Sequence, residues 1–152
     1  MTTTRFHEMR RRPPRAGTEN PLAAALDQVG DRWLLLVVDA LAEGPQRFGE
    51  LADRLGAATN ILAGRLRTLE VGGLVVATPY SRRPLRLTYT LSASGQELAE
   101  TLLPLAAWGA AREGLPTARF HDPCGSGVEL RPWCPTCDRP TEPGESSGRF
   151  DL

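Results

Sequence analysis

From residue 20 onward the apolar positions change period several times, and each change marks an element. Pro21 opens an apolar stretch, Leu22 to Val29, that ends at Gly30; proline just inside a helix start and glycine just past its end are the expected punctuation. Asp31 is placed as the N-cap of a second helix. The run from Trp33 to Leu41 is apolar on nearly every side, which predicts a buried central helix stopped by Gly44-Pro45. Val37 and Val38 are β-branched, but the run is too long for an ordinary strand. Gln46-Arg47-Phe48 reads as short and extended. Gly49 to Leu55 is then a two-turn helix with Leu51 and Leu55 on one face, and Gly56-Ala57-Ala58 is a tight break. Thr59 to Gly72 is a longer helix whose Leu62, Leu66 and Leu69 make one stripe. A short helix, a three-residue turn and a longer amphipathic helix form the helix-turn-helix pattern.

The period then shortens to two. Leu74 to Thr78 is β-rich and Arg86 to Leu91 alternates polar and apolar, so the pair predicts antiparallel strands joined by a tip, Pro79 to Pro84, that carries cations. This is a wing. The last helix runs from about Ser94 to Arg112 with Leu98, Leu102, Leu105 and Trp108 on its apolar face; Ser94 and Glu97 fit a capping box, and Pro104 predicts a kink. The fold class expected is mainly α with a small β wing (α+β), a winged helix-turn-helix over residues 20–114.

Composition changes the picture in one respect. The chain has 152 residues and a formal net charge of zero, which by itself argues against a nucleic-acid partner. The charge is segregated, however. All 18 basic residues are arginine; residues 1–19 carry a net +3 and residues 60–90 a net +4, leaving the remainder acidic. A basic stretch inside an acidic domain is the footprint of a DNA reader. Residues 1–19, rich in arginine and proline, read as a flexible basic arm, either a solvated tail or a segment that reaches DNA.

With Leu62 taken as the core direction of the 59–72 helix, Asn60, Ala63, Gly64 and Arg67 cluster on the opposite side, and Arg65 lies beside the buried stripe. Small residues in the middle of that face suit entry into a major groove, where bulk prevents approach. Asn60 suits adenine, Arg67 guanine or a phosphate, and Thr59 a backbone phosphate. Arg82, Arg83 and Arg86 on the wing suit phosphates or the minor groove. The competing reading is a plain solvated helix face; the short helix before it and the basic wing after it favour double-stranded DNA.

Three cysteines, an odd number, all lie after residue 120, which does not suit a disulfide framework. His121-x-x-Cys124 and Cys134-x-x-Cys137 are two pairs of zinc-type ligands, and four N and S ligands satisfy a tetrahedral structural zinc ion. Residues 115–142 are therefore expected to form a C-terminal zinc-ribbon-like tail, with a Cys134–Cys137 disulfide or free thiols as the alternative, and residues 143–152 to be disordered. No open coordination position or nearby base suggests metal catalysis.

Enzyme chemistry lacks its parts. Only His7 and His121 are present, and there is no Gly-rich phosphate loop and no nucleophile elbow. No apolar run reaches the ~18 to 20 residues that span a bilayer, and the N-terminus lacks a signal-peptide core, so a cytoplasmic protein with no membrane partner is expected.

Several motifs, in order, resemble the HxlR family of bacterial winged-helix regulators, relatives of the MarR group. They are Gly30-Asp31-Arg32-Trp33, the stretch Glu43 to Leu51, Arg65-Leu66-Arg67-Thr68-Leu69-Glu70, Pro84 with Arg86, Tyr89-Thr90-Leu91-Ser92 with Gly95, and Trp108-Gly109. The resemblance covers roughly Asn20 to Gly109. It implies a homodimer in which the first and last helices pack across the two-fold, giving Leu22, Leu26, Leu98, Leu102, Leu105 and Trp108 that role. Two positions depart from the family. Many members carry a sensing cysteine where this chain has Asn20, which argues against thiol sensing by that route, and a serine near the start of the recognition helix is replaced by Ala58. The expected function is a homodimeric transcription regulator that reads a near-palindromic operator through the 59–72 helix and the 79–86 wing, with any small-molecule effector unspecified. The alternative is a winged-helix adaptor that binds a protein partner through the zinc tail.

Overall fold

The computed structural model describes residues 20–116, 120–121, 123–128, 131–142 and 144–145, so the expected basic arm, 1–19, lies outside the described residues. The chain divides into two compact units, Met1–Ala99 and Glu100–Leu152. The first contains helices α1 (Pro21–Val29), α2 (Arg32–Ala42), α3 (Phe48–Leu55) and α4 (Thr59–Val71), strands β1 (Gln46–Arg47), β2 (Val75–Arg82) and β3 (Leu85–Leu91), and the start of α5 (Ala93–Glu113). The strands form an antiparallel sheet in the order β1-β3-β2. This is the winged helix-turn-helix the periodicity predicts.

Local chemistry sets the helix starts. Asn20 Oδ1 accepts the N–H groups of Leu22 and Ala23 at 3.0 and 3.1 Å, and Asp31 Oδ1 accepts that of Trp33 at 2.9 Å. Each satisfies donors that the first turn leaves without partners. Helix α3 begins one residue earlier than the sequence predicts, at Phe48, because Glu50 reaches back to accept the Arg47 N–H at 2.6 Å and so extends the helix start over Phe48. Between α3 and α4, Gly56 sits at φ +58, a left-handed turn that glycine adopts without steric cost.

Helix α2 packs against α3, α4 and β3 and supplies the centre of the core. Val37, Val38, Leu51, Leu62, Leu66 and Leu69 are fully buried, and Val75 and Tyr89 close the core from the sheet. Each buried aliphatic side chain of this kind contributes roughly 1.5–3 kcal/mol. The Leu62-Leu66-Leu69 stripe thereby fixes the rotation of α4 and sets which of its residues face outward.

The start of α5 corrects one expectation. Ser92, not Ser94 with Glu97, caps the helix: its Oγ accepts the Gly95 N–H at 3.1 Å and donates to the Gly73 carbonyl at 2.6 Å. One hydroxyl thus joins the end of the wing to the turn after α4. The serine two residues earlier is the one that bonds both partners. Gly95 is buried against the same turn; a Cβ there would stand 2.1 Å from the Leu74 carbonyl oxygen. The helix is unbroken through Pro104.

In the second unit, the later part of α5 is followed by two small hairpins, β4 (Phe120–His121) with β5 (Ser126–Gly127), and β6 (Trp133–Cys134) with β7 (Arg139–Pro140). Arg139 makes a two-pronged ion pair with Glu145, at 2.7 and 2.9 Å. Of the stretch expected to be disordered, 143–152, only Gly144 and Glu145 are among the described residues.

Candidate nucleic-acid interface

The turn between α3 and α4 presents α4 with its leucine stripe inward. Thr59, Asn60, Ala63, Gly64 and Arg67 are all exposed, as the helical projection requires. They form one outward face that is bulky only at Arg67 and small at its middle. Ala58, the residue before α4, makes no side-chain cap bond, in contrast to Asn20 and Asp31.

Arg65 is turned to a different use. Its Nε and Nη2 bond Asp31 Oδ1 and Oδ2 at 3.0 and 2.7 Å, a two-pronged pair that ties α4 to the N-terminus of α2. Asp31 therefore caps one helix and anchors another. Burial pushes its carboxyl pKa up, but the Arg65 side chain and the Trp33 and Leu34 N–H groups outweigh this and hold it below the ordinary value. Arg54 is likewise engaged, with Glu43, whose carboxyl it holds low. Two of the domain's cations thus serve the fold.

The wing is longer than the sequence suggests. Strand β2 reaches Arg82 and β3 starts at Leu85, which leaves only Arg83-Pro84, a cis peptide, at the tip. The ladder runs from Val75 opposite Leu91 to Arg82 opposite Leu85, with a bulge between Pro79 and Ser81. A bulge lets a strand bend and continue, and proline did not end this one because it sits beside the irregularity. Arg82, Arg83 and Arg86 are exposed at the tip, and Ser81 Oγ donates to the Pro84 carbonyl at 2.9 Å. Arg67, Arg82, Arg83 and Arg86 form no ion pair among the described residues.

One residue of this surface was missed from the sequence. Arg47 lies over the Tyr80 ring, 4.6 Å from its centroid, at an open groove that Phe48, Glu50, Asp53 and Arg86 also line. Nothing local announces it: β1 is two residues long, and only its pairing with β3, Arg47 opposite Thr88, brings it to the wing.

The residues expected at a dimer interface are unburied. Leu22 and Leu26 on α1 are 66% and 51% exposed, Leu105 and Trp108 on α5 are 55% and 59% exposed, and Leu98 and Leu102 are half-buried. Arg112 covers part of the Trp108 ring from 5.0 Å. In the tail, His121 Nδ1 lies 3.2 Å from Cys124 Sγ, and the backbone N–H of Cys137, its side chain and the Thr136 N–H hold the Cys134 thiol below its usual range. The described residues bring these four side chains together as two pairs, with no cluster of three.

The profile of the HxlR-like helix-turn-helix family matches residues 28–114 of this chain. An uncharacterized HTH-type transcriptional regulator of Mycobacterium tuberculosis is 38% identical over 117 residues, 74% of each protein. Among solved structures, the reduced form of the transcriptional regulator YodB from Bacillus subtilis is similar with a TM-score of 0.52 at 29% identity, covering 60% of this chain and 92% of YodB. The Pseudomonas aeruginosa protein PA1374, provisionally assigned as a transcription factor, is similar with a TM-score of 0.57 at 29% identity, covering 84% of this chain and 96% of that one. No helix among the described residues is long and apolar enough to cross a membrane. With its fold in agreement with these relatives, the chain belongs to the HxlR-like helix-turn-helix family of MarR-like winged-helix transcriptional regulators, a family of DNA-binding proteins and not of enzymes.

Proposed function

We propose that the protein is a homodimeric regulator that binds a near-palindromic operator, with α4 of each chain in a major groove and each wing on the flanking backbone. The observation that carries this reading is the division of labour among the arginines. Arg65 and Arg54 are held in ion pairs within the fold, whereas Arg67 on α4 and Arg82, Arg83 and Arg86 on the wing are exposed without one among the described residues. Asn60 and Arg67 are then the readers of base edges, with Ala63 and Gly64 giving the clearance that close approach needs, and Thr59 contacts a phosphate. The wing arginines hold register. Leu22 and Leu26 on α1 and Leu105 and Trp108 on α5 offer apolar surface to a second copy, and two copies place their α4 helices about 34–36 Å apart, one turn of duplex.

Selection of bound fragments from random duplex DNA tests this reading. Enrichment of paired half-sites about 10 base pairs apart is the expected result. Duplex affinity should also fall steeply with rising salt. A protein that serves instead as an adaptor for another protein would enrich no sequence and bind duplex weakly.

A further inference from the structure

The two hairpins of the tail are copies of one local design. β4 ends on His121 and β5 begins on Ser126, directly opposite it; β6 ends on Cys134 and β7 begins on Arg139, directly opposite it. In each, the last strand residue is a metal-ligating side chain and a second follows three positions later, Cys124 in one and Cys137 in the other. In each, the residue after that second ligand is left-handed: Gly125 at φ +68 and Asp138 at φ +52. The Cys124 and Gly125 N–H groups close the first turn on the His121 carbonyl at 3.1 and 2.7 Å. At the sulfurs, the Ser126 N–H and side chain hydrogen-bond Cys124, and the Cys137 and Thr136 N–H groups hydrogen-bond Cys134. Turns of this kind aim side chains and N–H groups at one point, which is how thiolate ligands of a metal are presented and stabilised.

Two further observations point to what the design holds. His121 Nδ1 and Cys124 Sγ are 3.2 Å apart. A tetrahedral zinc ion with its usual Zn–N and Zn–S bonds sets that edge at about 3.5 Å. Secondly, the described residues of the tail beyond α5 include no buried side chain, and each of its four strands is two residues long. Isolated hairpins of that size are not stable in water, and segments with so little core depend on a staple. The stretch between Cys124 and Cys134 is long enough, at about 3.3 Å per residue, to let the two pairs meet.

We infer that one zinc ion joins the two hairpins of a single chain, bound by His121 Nδ1 and by the sulfurs of Cys124, Cys134 and Cys137. On binding, the three thiols release their protons to solvent and the imidazole ligates as the neutral base, so the filled site carries a net −1 charge. The coordination shell is closed and the role structural. The inference stands apart from the DNA reading, since no residue is shared.

The test is zinc content. The full chain, purified without chelators and dialysed against metal-free buffer, should retain about one zinc per chain by elemental analysis. Replacement of that zinc by cobalt should give the intense visible bands of tetrahedral thiolate coordination. Cys124→Ser and Cys137→Ser, one from each hairpin, should each raise the rate of zinc loss to a chelator on the order of tenfold or more. The far-ultraviolet circular dichroism of the helices should stay unchanged in both variants. Less than about a tenth of an equivalent of zinc in the wild type overturns the inference. So does about half an equivalent, which would mean a site shared between chains. A Cys134–Cys137 disulfide in the freshly isolated protein, or a Cys124→Ser variant that holds zinc as firmly as the wild type, overturns it equally.

Discussion

Asp31 and Arg65 show how one residue pair decides both stability and site. Asp31 caps α2 and is gripped by Arg65, so Asp31→Ala removes two interactions and Arg65→Ala only one. Chemical denaturation should show Asp31→Ala costing about 1–2 kcal/mol, and Arg65→Ala about half of that, since the pair is partly exposed. The sign of the pH dependence follows from the lowered carboxyl pKa. The stabilisation is present above the unfolded-state pKa of about 3.9 and is lost as the pH falls through the lower folded value. An Asp31→Asn variant should therefore lose less stability than the wild type between about pH 5 and pH 2. At the DNA surface, Arg67→Ala should relax base preference at one position per half-site, by about 1–3 kcal/mol. Arg82→Ala should instead weaken binding to every sequence and reduce the salt slope by about 1. Quantitative binding to a variant operator set separates the two; an unchanged base preference in Arg67→Ala would remove α4 from the groove.

Among elements, the join between α4, the wing and α5 is the most constrained. Ser92 bonds both Gly73 and Gly95, and Gly95 leaves no room for a Cβ against Leu74. Because the obstacle is backbone, Gly95→Ala must displace the start of α5 and should lower stability by about 1–3 kcal/mol or more in a thermal melt. Helix α1 depends on its cap in a different way. The Asn20 amide oxygen accepts two backbone N–H groups. Asn20→Ala should cost about 0.5–2 kcal/mol, and because α1 offers exposed Leu22 and Leu26, fraying should also weaken self-association. The join was only half legible beforehand. Periodicity located every helix, but Ser92 and Ser94 are equivalent as sequence, and the choice between them needs the Gly73 carbonyl, which the chain supplies from far upstream.

At the scale of the whole molecule, the zero net charge conceals a directional one. Arg67 of α4 and the wing arginines are outward, while Arg54 and Arg65 are neutralised by Glu43 and Asp31. Leu22 and Leu26 on α1 and, in the second unit, Leu105 and Trp108 on α5 are exposed large apolar side chains, a pattern more often met at interfaces than on isolated chains. Leu26→Asp combined with Leu105→Asp should shift sedimentation from dimer to monomer. Operator affinity should fall far more than for either wing variant, because two linked half-sites bind with a high effective concentration that a monomer forgoes. A double variant that stays dimeric would place the interface elsewhere.

In the winged-helix region, the order and type of the elements follow from sequence alone, because helix and strand periods, proline and glycine punctuation and capping residues are local signals; the two-residue strands of the tail do not. The outward face of α4 follows too, since one leucine stripe fixes the rotation of a helix. The tertiary structure alone decided the rest. It separated Arg65, committed to Asp31, from Arg67, two residues on and without an ion pair among the described residues, because an ion pair between α2 and α4 exists only once the two helices are packed. It brought Arg47 to the wing through strand pairing, and it carried β2 past Pro79 by means of a bulge. Each of these rests on a contact between residues distant in the chain, and no local pattern records such a contact.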